Sequence, residues 1–159
     1  MEIEKLLQEL PPEAAKFFAF FGRFECALKK VGCLKSAEKG ARAEAGWDKF
    51  AKSLGERFYG EVQESGKANL FWENPPKKQI VGRGGSLGWK SIPVKDVETL
   101  FDAVRRVRNN LFHGGKYPEP NGGVIPDPAR DAKLLSQARE VLEMALKKSA
   151  KVQRAFWEF

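Results

Sequence analysis

The chain is poor in the residues that build metal centres and covalent staples. It has 159 residues, with two cysteines, Cys26 and Cys33, and a single histidine, His113. With one histidine and no CxxC pair, no zinc site can be assembled. Nor is a disulfide framework expected. If both cysteines lie on one helix, seven residues put them roughly 10 Å apart along its axis, too far to bridge. They read as packing thiols in a reducing compartment. Long apolar runs are missing too: FFAFFG is the longest candidate and falls far short of the roughly 20 residues that span a bilayer. The start, MEIEKLLQEL, is charged and amphipathic and lacks the apolar core of a secretory signal, so a cytoplasmic location and no membrane partner are expected.

What is abundant is positive charge and aromatic surface. Lysine and arginine number 28 against 21 acidic residues, a net charge of +7, and 12 phenylalanines accompany them. The balance favours polyanionic partners, nucleic acid before anionic lipid. The length suits one domain, residues 1–159, with a core of its own.

Helical periodicity dominates. Pro11-Pro12-Glu13 reads as a helix start, and the helix is expected to run to about Val31 with phenylalanines on more than one face, which implies central burial in a bundle. SAEKGARAEAG reads as a loop or weak helix, and WDKFAKSLGERFYGEVQES resumes the helical pattern. Residues 66–94 are dense in glycine and proline and predict a long irregular connection. GRGGSLG within it lacks the spacing and ending of a phosphate-binding loop and reads as a turn. Trp72 and Trp89 flank this segment as pins to the bundle or as stacking surfaces for bases.

From Lys95 a helix resumes, with Leu100, Val104, Val107 and Leu111 as its buried stripe and Gly114-Gly115 as its stop. Asp127-Pro128 starts a last helix expected to reach the 150s, with Leu134, Leu135, Ala138, Val141, Leu142 and Ala145 inward. The tail AFWEF is read as a terminal core contact or, as the alternative, an exposed anchor for a partner. The fold class is therefore all-α, an up-and-down bundle with a long irregular loop between its middle helices.

On the Lys95 helix, His113 falls close to 180° from Val104 at about 100° per residue, so it faces away from the core. Asn109 and Arg106 share that outward face. Arg108 lies only about 40° from Val104, at the edge of the apolar stripe, and needs a carboxylate or carbonyl partner there. The bland reading is a basic solvent-facing helix with a histidine near its C-terminus. The sharper one is RNA cleavage, with His113 moving a proton and arginine steadying charge on phosphorus.

Arg108-Asn109-Asn110-Leu111-Phe112-His113 closely resembles the hallmark of the HEPN superfamily: an arginine, four to six residues and a histidine, often with a polar residue directly after the arginine. FFGRFECALKKVG, with Arg23 and Glu25, also looks like the early helix of bacterial HEPN proteins from plasmids and defence loci. The resemblance implies a HEPN-like bundle and a metal-independent endoribonuclease without cofactor, a toxin or phage-defence effector. Its homodimer would join two motifs at the twofold interface. It further implies that Arg108 binds the phosphate, His113 is acid or base and Asn109 assists, while Arg105, Arg106 and Lys116 contact the RNA backbone. A second imidazole would then come from the twofold mate. Some such toxins have a tyrosine, two residues after the histidine, that a separate antitoxin modifies. Here that position is Gly115, and the nearest tyrosine is Tyr117. Any antitoxin or regulator is expected to be a separate protein. The alternatives are a non-catalytic HEPN module that binds RNA or a partner protein, and a basic helical DNA binder, for which no helix-turn-helix spacing stands out.

Overall fold

Two adjacent prolines set the first boundary. In a computed structural model, which describes residues 3–8, 10–112 and 127–158, Pro11 and Pro12 separate α1 (Ile3–Gln8) from α2 (Glu13–Lys30). Proline carries no amide hydrogen, and the first turn of a helix has no use for one. Glu13 in the first turn and Lys29 and Lys30 in the last match the helix dipole.

α2 is buried on several sides, as its ring of phenylalanines predicts. Phe17, Phe21 and Phe24 enter the core, Phe20 packs on Phe156, and Phe18 meets Phe112 edge-on. The core is aromatic at its centre. Trp47 stacks on Phe21 and Phe24 with centroids 5.3 and 5.5 Å away, and Phe50 and Phe101 close the group. Offset and edge-on rings of this kind add attraction beyond the area they bury.

A loop holding an isolated antiparallel bridge, Leu34 to Ala45, leads into α3 (Trp47–Ser65). Helical periodicity runs through α3, yet Gly55 breaks it with φ 71° and ψ 178°. Only a residue without Cβ adopts that conformation freely, so the kink depends on glycine.

Residues 66–94 are more regular than their composition predicts. They contain α4 (Leu70–Glu73) and two antiparallel strands, β1 (Lys78–Val81) and β2 (Leu87–Lys90), in place of a wholly irregular connection. GRGGS is indeed the turn: Gly84 and Gly85 take φ of 67° and 80°, and Gly82 donates its amide to the Ser86 carbonyl at 2.6 Å. A two-stranded hairpin is marginal alone. This one is tied at its base, where Asn110 donates to the Lys77 carbonyl at 2.8 Å and Arg106 to that of Pro76 at 3.1 Å. Trp72 pins the segment through its indole N–H on the Tyr59 hydroxyl, 2.8 Å away.

α5 (Val97–Phe112) starts on Asp96, whose carboxylate accepts from the Thr99 amide and hydroxyl and is held below the usual carboxylate range mainly by these bonds. Leu100, Val104 and Val107 form the buried stripe, with Leu111 half-buried at its end. α6 (Pro128–Lys148) begins as the sequence predicts: the Asp127 carboxylate accepts from the Arg130 amide at 2.9 Å, and all six expected inward residues are buried.

The last helix does not continue into the 150s. It breaks at Ser149, which is extended at φ −120° and ψ 96°, and restarts as α7 (Ala150–Trp157). The turn lays Val152, Ala155 and Phe156 into the core, with the Phe156 ring 4.8 Å from Phe20. Burial of that apolar face outweighs the few helical hydrogen bonds lost at the break. The aromatic tail thus splits: Phe156 is core and Trp157 is 64% exposed.

Cys26 lies on α2 and Cys33 beyond its end, both free and half-buried. Cys33 donates to the Gly46 carbonyl, and burial pushes its thiol up from the ordinary value. Cys33 also packs against the core. Among the described residues no helix is long and apolar enough to cross a membrane.

Candidate functional site

α5 carries the motif as far as Phe112, and its two sides are used differently. Arg108 leaves the helix at the edge of the buried stripe and lies over α2. Its guanidinium carbon sits 5.1 Å from the centre of the Phe21 ring, and Nη2 is 3.8 Å from Glu25 Oε1. The carboxylate partner required by the helical angle is thus Glu25. At 3.8 Å the pair is ionic rather than hydrogen-bonded. Glu25 is itself held, because its Oε1 accepts the Trp47 indole N–H at 2.9 Å. Arg108 remains 29% exposed, while its Nε is buried without a hydrogen-bond partner among the described residues. A planar cation on a ring face, with a carboxylate at one end, has few orientations left.

The other side of α5 faces the hairpin across a cleft of about 580 Å³. Arg105, Arg106, Asn109 and Asn110 line it from the helix with Asp102, and Lys78 and Gln79 line it from β1. Asp102 pairs with Arg105 at 3.3 Å. Arg106 spends one N–H on the Pro76 carbonyl, and burial pulls its guanidinium below its ordinary value against the opposing pull of Asp102. Asn110 is buried and committed to the Lys77 carbonyl. Asn109 is exposed in the cleft.

The structure therefore groups the candidate residues in two sets. Arg105, Arg106 and Asn109 share one cleft, whereas Arg108 belongs to the α2 side with Phe21 and Glu25. His113 and Lys116 lie outside the described residues, as do Gly114, Gly115 and Tyr117; Phe112, the last described residue of α5, immediately precedes His113. Among the described residues no three His, Cys, Asp or Glu side chains come together as metal ligands.

Sequence reasoning missed Lys78 and Gln79, because the hairpin that presents them went unread. The one available signal was the glycine-rich turn between two short segments with β-branched and aromatic residues, KQIV and LGWK, since KQIV does not alternate. Sequence reasoning also left the partner of Arg108 open. It demanded a carboxylate for Arg108 without selecting Glu25 from 21 acidic residues.

The Glu25 network can be tested through stability. Glu25→Ala leaves the Trp47 N–H without its acceptor and Arg108 without its counter-charge. The expected cost is about 1–3 kcal/mol, read from the midpoint of urea unfolding. An unchanged midpoint would show that water replaces Glu25 at both groups.

No protein-family model, curated protein or solved structure matches the chain.

Proposed function

We propose that the chain is a metal-independent endoribonuclease of the HEPN type. The observation that carries the reading is the preparation of Arg108: its guanidinium is fixed by Phe21 and Glu25 near the end of α5, with the chain's one histidine following that helix. In the expected reaction a base takes the proton of an RNA 2′-hydroxyl, whose oxygen attacks the adjacent phosphorus. The bond to the 5′-oxygen breaks, and an acid protonates the leaving oxygen. The products are a 2′,3′-cyclic phosphate and a 5′-hydroxyl. Arg108 neutralises charge on the phosphate, His113 supplies acid or base, and Asn109 assists.

Two proton transfers and one histidine favour a homodimer with the site at its twofold interface. Phe112, 67% exposed within the motif and packed edge-on against Phe18, supports an apolar surface there. Arg105, Arg106 and Lys116 are assigned to RNA backbone. The setting is cytoplasmic, as a toxin or phage-defence effector held in check by a separate antitoxin or regulator.

The test is incubation of purified protein with RNA in EDTA, followed by end-group analysis. Cleavage with cyclic-phosphate ends supports the reading, and cleavage that EDTA abolishes refutes it. A second reading, a non-catalytic HEPN module that binds RNA or a partner protein, is favoured by the pairing of Arg108 with Glu25, since an arginine already neutralised can serve structure alone. RNA binding without cleavage would select it.

A further inference from the structure

We propose that the cleft between the β1–β2 hairpin and α5 is a binding groove for single-stranded RNA, separate from the Arg108 centre, with the hairpin as its outer wall. The choice of RNA rests on the ribonuclease reading; the groove itself rests on what lines it.

Charge is the first argument. Residues 74–95 hold Lys77, Lys78, Arg83, Lys90 and Lys95 and no acidic residue. Across the cleft stand Arg105 and Arg106, with Asp102 the only carboxylate among the described lining residues. Asp102 offsets Arg105, so Lys78 and Arg106 leave the cleft positive.

Register is the second. Lys78 is directly opposite Lys90, and Gln79 is opposite Trp89, so each pair shares one face of the hairpin. The lysines are exposed and the Gln79–Trp89 face is half-buried. The hairpin therefore presents a paired cation on one face and an amide beside an indole on the other. Of these four, Lys78 and Gln79 line the cleft, where a cation can hold the phosphate backbone without choosing a sequence. Asn109 and Gln79 add amide groups that can bond base edges or sugar hydroxyls.

Size and rigidity are the third. A cleft of about 580 Å³ falls in the range of roughly 300–1,000 Å³ typical of small-ligand pockets, which suits unstacked nucleotides rather than a duplex. Its walls are held together, because Asn110 and Arg106 tie the start of the hairpin to α5.

The probe is a fluorescein-labelled 2′-O-methyl oligoribonucleotide, which has no free 2′-hydroxyl and cannot be cleaved by the proposed route, followed by anisotropy across a salt series. The doubly substituted Lys78→Glu, Lys90→Glu protein is expected to bind at least about tenfold more weakly with a shallower salt dependence. Gln79→Ala, which removes the β1 amide from the lining, is expected to weaken binding by about twofold or more. An equal charge change on α7, Lys151→Glu with Arg154→Glu, is expected to change affinity less than twofold.

Wild-type affinity in the folded Lys78→Glu, Lys90→Glu protein would overturn the groove, as would failure of the wild type to bind, or equally tight binding of duplex RNA. Lysine-dependent binding by a wild type that cleaves no RNA would sustain the groove and sink the ribonuclease. Cleavage with lysine-independent binding would do the reverse.

Discussion

His113→Ala, purified as a protein of unchanged fold and oligomeric state, is expected to cleave RNA about 10²–10⁴-fold more slowly than wild type, the usual worth of a positioned acid or base. The imidazole is suited to the task because its ordinary pKa, near 6.5, lets it accept and release a proton at neutral pH. His113 is also a cleaner probe than Arg108. Replacing Arg108 removes a cation from Phe21 and Glu25 as well as from any phosphate, so lost activity would mix folding with chemistry. Equal cleavage by wild type and His113→Ala, measured in EDTA on the same RNA, would place the activity in another site or in a contaminant.

Phe24→Ala is expected to produce the largest loss of stability. Phe24 is fully buried, with its ring near parallel to Trp47 at 5.5 Å and edge-on to Phe50 at 5.4 Å. Truncation removes the transfer energy of the ring and leaves a cavity that stiff neighbours cannot fill. The expected cost is about 3–5 kcal/mol, a large part of the roughly 5–15 kcal/mol that holds a domain folded. At about 2–4 °C per kcal/mol for a chain of this size, the melting temperature falls by about 6–20 °C. Trp157→Ala, at the exposed end of α7, is the control and is expected to stay within about 0.5 kcal/mol of wild type. A Phe24→Ala loss under about 1 kcal/mol would mean that the aromatic centre repacks freely. The effect reaches the candidate site, because Trp47 also holds Glu25, and Glu25 faces Arg108.

Periodicity was a good guide wherever one helix face meets the core. α2, α5 and α6 follow from it because burial repeats with the 3.6-residue turn. The start of α6 was equally legible, since Asp127 caps the amide of Arg130, the third residue of the helix, and the interaction spans four residues. The need of Arg108 for a carboxylate was likewise readable from its angle to Val104 alone.

Where the chain must choose between distant partners, local pattern was silent. Strands of four residues carry too little alternation to stand out among glycines and prolines, and the hairpin exists because Asn110 and Arg106 receive its base. Nothing local marks Ser149 as a break; Phe156 finds Phe20 only once α2 is in place. The division of the candidate site has the same origin. From the sequence alone the chain could be read as basic and helical, with a motif arginine in want of a partner and one histidine behind it. Tertiary packing decided that Glu25 and Phe21 are what Arg108 meets, and that Arg105, Arg106 and Asn109 turn instead toward Lys78 and Gln79. A helix repeats its own geometry from residue to residue, but which surface each side of it meets is settled by elements far away in the chain.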